Sequence, residues 1–214
     1  DAHLDTPMHF PRHGWRFDHR HDLNSDIVQV DLPRMLDGNL DGGFFVIYTA
    51  QGPLDEAGYR AANSFALQRA EEIRETIRSS NGLVLALQAR DARLIADSGE
   101  AFGFLSMENS YPLGEDLGQL ELFHDLGVRL AGPVHSSNNQ FSDSATDTPR
   151  WNGLSPLGQR WVQEMNRLGI VIDASHASDA AFDQLLALSK TPILLSHSGS
   201  REVFDHPRNL NDDR

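Results

Sequence analysis

The chain has no cysteine, no long apolar run and no surplus of positive charge, and each absence removes a class of function. Without cysteine among its 214 residues it can build neither a disulfide framework nor a thiolate metal site. No stretch approaches the roughly eighteen consecutive apolar residues that a membrane-spanning helix needs. Acidic residues number 31 against 18 basic ones, for a formal net charge of -13. Binding to nucleic-acid phosphates calls for the opposite sign, so no nucleic-acid partner is expected. An acidic surface otherwise serves mainly solubility. Short repeats and low-complexity linkers are missing as well. The length suits one sizeable core, so residues 1–214 are expected to form a single domain. No secretory leader is visible at the opening "DAHLDTP", which is equally compatible with a leader already removed. Bacterial periplasm and cytoplasm both stay open.

What is present is an alternation of strand-like and helix-like stretches. "GGFFVIYTA" (42–50) reads as a buried strand, and 55–78 as a long helix with Ala62, Phe65, Ala66, Ala70, Ile73 and Ile77 on one face. "AFGFLSMEN" (101–109) is a strand ending on Glu108, 116–127 a helix, and "VRLAGPVH" (128–135) a strand ending on His135. A polar loop follows, then a helix from Pro156 to Leu168 with proline in its first turn and Gly169 as its stop signal. "IVIDASH" (170–176) and "TPILLSH" (191–197) are two more strands, separated by a short helix over 180–188. Nearly all-apolar strands alternating with helices predict parallel strands covered by helices.

An open doubly wound sheet and a closed (β/α)8 barrel both fit that alternation, and the polar residues decide between them. Glu108, His135, His176 and His197 each fall at the C-terminal end of a different strand, and His3 and Asp5 at the end of a first one. A barrel gathers such ends at one mouth, where active sites are built, whereas an open sheet spreads them along an edge. The expected fold class is therefore α/β, a TIM-like barrel running from the end of strand 1 through strand 6. Eight strand–helix pairs typically take about 250 residues, so these residues are expected to be part of a longer polypeptide.

The imidazoles of His3, His176 and His197 and the carboxylates of Asp5 and Glu108 make a nitrogen-and-oxygen ligand set. It suits zinc and, less well, manganese or iron. In "HLD", His3 and Asp5 are two apart and project to the same side of a strand. Five ligands exceed what one tetrahedral zinc uses, but they suit two Zn2+ ions if Glu108 bridges. Two metals roughly 3.5–4 Å apart can hold a hydroxide between them and polarise a carbonyl, which is hydrolytic chemistry. A single histidine ending a strand is more often a hydrogen-bonding residue than a ligand; it is the combination that carries weight here. His9, His13, His19 and His21 lie in loop sequence without regular spacing and are expected to pack or face solvent. His124 reads as structural or solvated, and His206 receives no role.

With these residues assembled, the chain resembles the membrane (renal) dipeptidase family of zinc peptidases, particularly its bacterial members. The resemblance rests on "DAHLDTP", "MEN" around Glu108, "GVRLAGPVHSSNNQFSDS" (127–144), "GLSPLGQRWVQEMNRLGIVIDASHAS" (153–178), "PILLSHSGS" (192–200) and "HPRNLNDD" (206–213). It implies that His3 and Asp5 bind one zinc and that His176 and His197 bind the other, with Glu108 bridging and catalytic. His135 would contact the scissile carbonyl of a dipeptide and steady the tetrahedral intermediate. Arg208 would pair with the C-terminal carboxylate, which a guanidinium fork matches bidentately. The family's further acidic residue after strand eight has no counterpart in residues 1–214. The implied partner is a small peptide, and a homodimer is a compatible assembly. Two other readings compete. One is a related amidohydrolase acting on N-acyl amino acids or lactams. The other is a catalytically inactive barrel kept as a binding module, which the intact ligand set argues against.

Overall fold

The computed structural model describes residues 2–214. Six strands, β1 (His3–Leu4), β2 (Gly42–Tyr48), β3 (Leu83–Leu85), β4 (Ala101–Glu108), β5 (Val128–Ala131) and β6 (Val171–Ile172), form one sheet in which every pairing is parallel. The order is β1-β2-β4-β5-β6, with β3 paired to the opening residues of β4. Between them run α1 (Leu32–Asp37), α2 (Glu56–Ser79), α3 (Ala89–Asp97), α4 (Gln119–Asp125), α5 (Pro156–Leu168) and α6 (Asp179–Leu188). Beyond β6 the chain returns at Leu194, which bridges Asp173 in parallel and exchanges backbone hydrogen bonds with Ile172 and Ala174. Ala2 N then donates to Ser196 O at 3.1 Å, so the two margins of the curved sheet meet. This is a partial α/β barrel, as the alternation of the sequence predicts.

β4 is the spine. It pairs with β2 along seven residues, from Gly42 opposite Phe102 to Tyr48 opposite Glu108. Phe45, Ile47, Leu105 and Met107 are fully buried beside one another, as expected for strands covered on both faces. α5 begins as the sequence implies: the Ser155 side chain accepts from Gly158 N, Pro156 occupies the first turn, and Gly169 ends the helix at φ 72. α6 starts one residue before the expected 180, because Ser178 caps it by accepting from Ala181 N.

Several expectations shift. The strands stop short of the histidines: β5 ends at Ala131 and β6 at Ile172, so His135 and His176 sit on the loops just past them. The helix expected over 116–127 shrinks to α4, since Asp116 Oδ1 accepts from Gly118 N and holds a turn there. On α2, Phe65 is 44% exposed, and Arg69 takes the buried place instead. The guanidinium of Arg69 donates to the Pro7 carbonyl, pairs with Glu72 at 3.3 Å and lies over the Phe65 ring. α1, α3 and β3 are additional to the expected elements, and α1 does carry start signals, since Asp31 caps it by accepting from Arg34 N and Pro33 lies in its first turn.

Helix propensity and packing oppose each other at Gly158. Alanine in a helix interior is favoured over glycine by about 1 kcal/mol. A Cβ at Gly158, however, would lie 2.0 Å from the Phe141 carbonyl oxygen, a backbone atom that cannot rotate away. Overpacking of this kind costs about 1–3 kcal/mol or more, so Gly158→Ala is expected to be destabilising despite the propensity gain. Urea unfolding would check this: a midpoint at or above wild type would show that the loop over α5 yields freely.

Candidate functional site

Glu108 is the last residue of β4, and its buried carboxylate stands at the mouth formed by the strand ends. Its Oε1 lies 2.8 Å from His176 Nε2, 3.3 Å from His197 Nε2 and 3.6 Å from His135 Nε2. Its Oε2 lies 3.5 Å from His3 Nε2, which also meets Asp5 Oδ1 at 3.2 Å. The rings crowd together, with centroids 3.9 Å apart for His3 and His197 and 4.2 Å for His135 and His176. Residues separated by almost the whole chain thus converge on one carboxylate.

By proximity, the ligand atoms fall into two groups that share Glu108: His3 with His197, and His176 with His135. That grouping crosses the one implied by the family resemblance, which sets His3 with Asp5 and His176 with His197. Asp5 stands at the rim, its side chain 61% exposed. The donor set fits a metal of zinc type: imidazole nitrogens and carboxylate oxygens only. Two further observations support the fit. His176 Nε2 and His197 Nε2 lie 2.9 Å apart and face the same carboxylate oxygen. The buried Nδ1 of His176 has no hydrogen-bond partner among the described residues.

The charges are unequally shared. Burial would raise the Glu108 pKa, but hydrogen bonds from His176, His197 and His3, with the His3 charge, hold it well below the carboxylate range. Burial would likewise lower that of His3, yet Asp5 and Glu108 outweigh it and raise His3 to about 9. His176 goes the other way: burial dominates the Glu108 contact and pushes it down to about 4. His135 is also lowered, chiefly by burial.

Arg208 is partly buried beside this cluster. Its Nε and Nη2 donate to the carbonyls of Ser175 and His197, both at 3.3 Å. Among the described residues it pairs with neither Asp212 nor Asp213, nor with any other carboxylate at ion-pair distance. The remaining histidines lie apart from both ligand groups. His21 stacks on Trp15 at 4.7 Å, His124 sits beside Asp125, and His206 Nδ1 accepts the Arg208 backbone N–H.

Sequence reasoning missed the residues that shape the mouth. Asn109, directly after Glu108, adopts φ 70. Its side chain donates to Thr49 O and accepts from Tyr111 N and from Asn139 Nδ2. Asn139 also donates to Pro133 O, two residues before His135, so one amide pair ties the Glu108 turn to the His135 loop. An Asn following a strand-terminal Glu was the available signal, since asparagine tolerates the left-handed region.

A family model described as membrane dipeptidase (peptidase family M19) matches residues 1–214. The chain is 32% identical over 221 residues to dipeptidase tcpJ of Claviceps purpurea, a match covering 99% of this chain and 52% of that protein. It spans about half the length of the curated relatives it matches. Among solved structures it is similar to the probable dipeptidase PvdM from Pseudomonas aeruginosa, with TM-score 0.89 and 32% identity over 100% of this chain and 55% of that one. It is also similar to a metallopeptidase from Rhodobacter sphaeroides liganded with a phosphinate mimic of the dipeptide L-Ala-D-Ala. There the TM-score is 0.85 and the identity 28%, over 100% of this chain and 68% of that one.

With His3 raised to about 9 and His176 lowered to about 4, only His3 of these two carries a proton at neutral pH in the metal-free site. A metal held by His3 must displace that proton, so its apparent affinity should rise with pH and level off near 9. Zinc titration calorimetry at neutral pH, in buffers of different ionisation enthalpy, should therefore report proton release that His3→Ala reduces. Equal release from wild type and variant would remove His3 from the ligand set.

Proposed function

The chain belongs to the membrane dipeptidase family, peptidase family M19, and from that premise we propose that the protein is a di-zinc dipeptidase. The observation that carries this reading is the single buried carboxylate of Glu108 facing imidazoles from four separate segments. In this reading Glu108 would serve both metals, with His3 and Asp5 holding one and His176 and His197 holding the other. Zinc there would supply Lewis acidity toward a peptide carbonyl and would activate water at neutral pH.

The chain's own residues do the rest. Glu108, held ionised far below neutral pH, keeps a fixed negative charge between the two sites. His135 stands farther from Glu108 than His176 or His197 does, at 3.6 Å, and its ring makes no hydrogen bond among the described residues. Its lowered pKa leaves a neutral imidazole whose N–H can donate to the carbonyl oxygen as negative charge develops. Arg208 donates to two carbonyls through Nε and Nη2 and keeps Nη1 for another acceptor. A substrate's terminal carboxylate meets that need, and it limits the substrate to peptides whose carboxylate lies one residue from the cleaved bond. The Rhodobacter relative, bound to a mimic of L-Ala-D-Ala, makes that dipeptide a natural first substrate to test beside L-Ala-L-Ala.

Two variants of the full-length protein test these roles. His135→Ala should keep its zinc and lose roughly 10²–10³ in kcat, the usual cost of one oxyanion donor; loss of zinc instead would make His135 a ligand. Arg208→Ala should lower kcat/KM for free dipeptides about ten- to a hundred-fold, mostly through KM, because a charge-assisted hydrogen bond is worth about 1.5–3 kcal/mol. It should also erase the wild-type preference for a dipeptide over its C-terminal amide. Equal loss on acid and amide would sink the carboxylate role, and faster turnover of N-acyl amino acids than of dipeptides would favour the amidohydrolase reading.

A further inference from the structure

His176 and His197 each follow a serine, and both serines are buried. The two Ser-His pairs come from different segments, one after β6 and one after the Leu194 bridge, yet a single side chain holds both serines. Asp173 is only 8% exposed. Its Oδ1 accepts from Ser175 N at 3.1 Å, Ser175 Oγ at 2.6 Å and Ser196 N at 3.2 Å. Its Oδ2 accepts from Ser196 Oγ. Four donors satisfy a buried carboxylate that has no ion-pair partner among the described residues, which is what makes its burial tolerable.

The direction of these bonds has a consequence for the metal-facing imidazoles. A carboxylate can only accept, so the Ser196 hydroxyl must spend its one proton on Asp173. Its oxygen is then left as an acceptor toward His197 Nδ1, 2.8 Å away. That fixes the proton of a neutral His197 ring on Nδ1 and leaves the lone pair on Nε2, the nitrogen that faces Glu108 and His176. Ser175 works in parallel: its hydroxyl donates to Asp173 while its oxygen accepts the His197 backbone N–H at 3.2 Å. The backbone before His176 and the backbone of His197 are thereby tied to one carboxylate.

We propose that Asp173 is a positioning residue that, through Ser196, sets the tautomer of His197 and, through both serines, the spacing of His176 and His197. The inference rests on the reading of those two histidines as metal ligands. Partners of this kind typically change metal affinity by 10–100-fold when removed.

The test uses the full-length protein and zinc alone. Zinc affinity is measured by competition with a chromophoric chelator for wild type, Asp173→Asn, Ser196→Ala, His176→Ala and His197→Ala. Nitrogen-15 histidine spectra of wild type and Ser196→Ala report which ring nitrogen of His197 is protonated. The expected result is zinc binding weakened about 10- to 100-fold in Asp173→Asn and Ser196→Ala, abolished at one site in each histidine variant, and a loss of the uniform Nδ1–H form in Ser196→Ala. A merely structural role would not move that spectroscopic signature. Should Asp173→Asn fail to fold, Ser196→Ala, which keeps the carboxylate and its Ser175 bonds, decides alone. Wild-type affinity and an unchanged tautomer in Ser196→Ala, beside histidine variants that lose zinc, would overturn the proposal while leaving the ligands in place. Histidine variants that keep both zinc ions would overturn the ligand reading itself.

Discussion

A carboxylate at the end of a central strand, surrounded by imidazoles, is the constraint on which the rest of the mouth depends. Burying an ionised carboxylate is costly unless cations or hydrogen bonds compensate it. At Glu108 the compensation comes from His3, His176 and His197, none of them its neighbour in sequence. The carboxylate can therefore sit where it does only if β1, β4 and the segments after β6 and Leu194 arrive at the same place. Those elements are supplied by a parallel sheet whose strands all point their C-terminal ends to one side. β4, paired with β2 from Phe102 to Glu108, gives Glu108 a stiff support.

From that support the loops are arranged outward by polar side chains as well as by the packing of Phe141 and Leu113 into the core. Asn109 turns the chain through the left-handed region immediately after Glu108, and its amide contacts with Thr49, Tyr111 and Asn139 keep the turn from relaxing. Asp143 does comparable work deeper in the 136–153 loop, where its carboxylate accepts the backbone N–H groups of Arg150, Trp151 and Gly153. Polar networks of this sort rigidify when every member is satisfied. They explain how residues 139–144, in a stretch without a helix or strand, can be buried.

How much of this the sequence displays depends on the range of the interaction. α5 is legible from residue to residue, because Ser155, Pro156 and Gly169 act on their own backbone. The gathering of Glu108 and the histidines at one mouth is legible too, since it follows from where apolar runs stop. The exchange of Phe65 for Arg69 on α2 is not: periodicity places both near the same face, and only the Pro7 carbonyl, 62 residues away in sequence, decides between them. The strand ends are misplaced for a related reason. "VRLAGPVH" continues apolar through Val134 although β5 ends at Ala131, so apolar character alone does not show where pairing stops, while in "IVIDASH" the ladder ends at Ile172, just before Asp173. The repeated Ser-His was visible in both segments, but its meaning lies in Asp173, which reaches across to Ser196 only in the folded chain.

His3 and His176 touch the same carboxylate yet are driven in opposite directions, to about 9 and about 4. His3 has a second anion, Asp5, at 3.2 Å, whereas His176 is more deeply enclosed and has Glu108 alone. One proton on His3 therefore supplies the positive charge that Glu108 requires, and a second proton on His176 would exceed it. The His3–Glu108 contact at 3.5 Å is thus an ion pair at the centre of the mouth. Because the unequal pKa values come from Asp5 at the rim and from burial at the centre, the asymmetry belongs to the scaffold itself. It gives the rim side of the mouth the imidazole that carries the proton and the inner side one that is neutral at neutral pH.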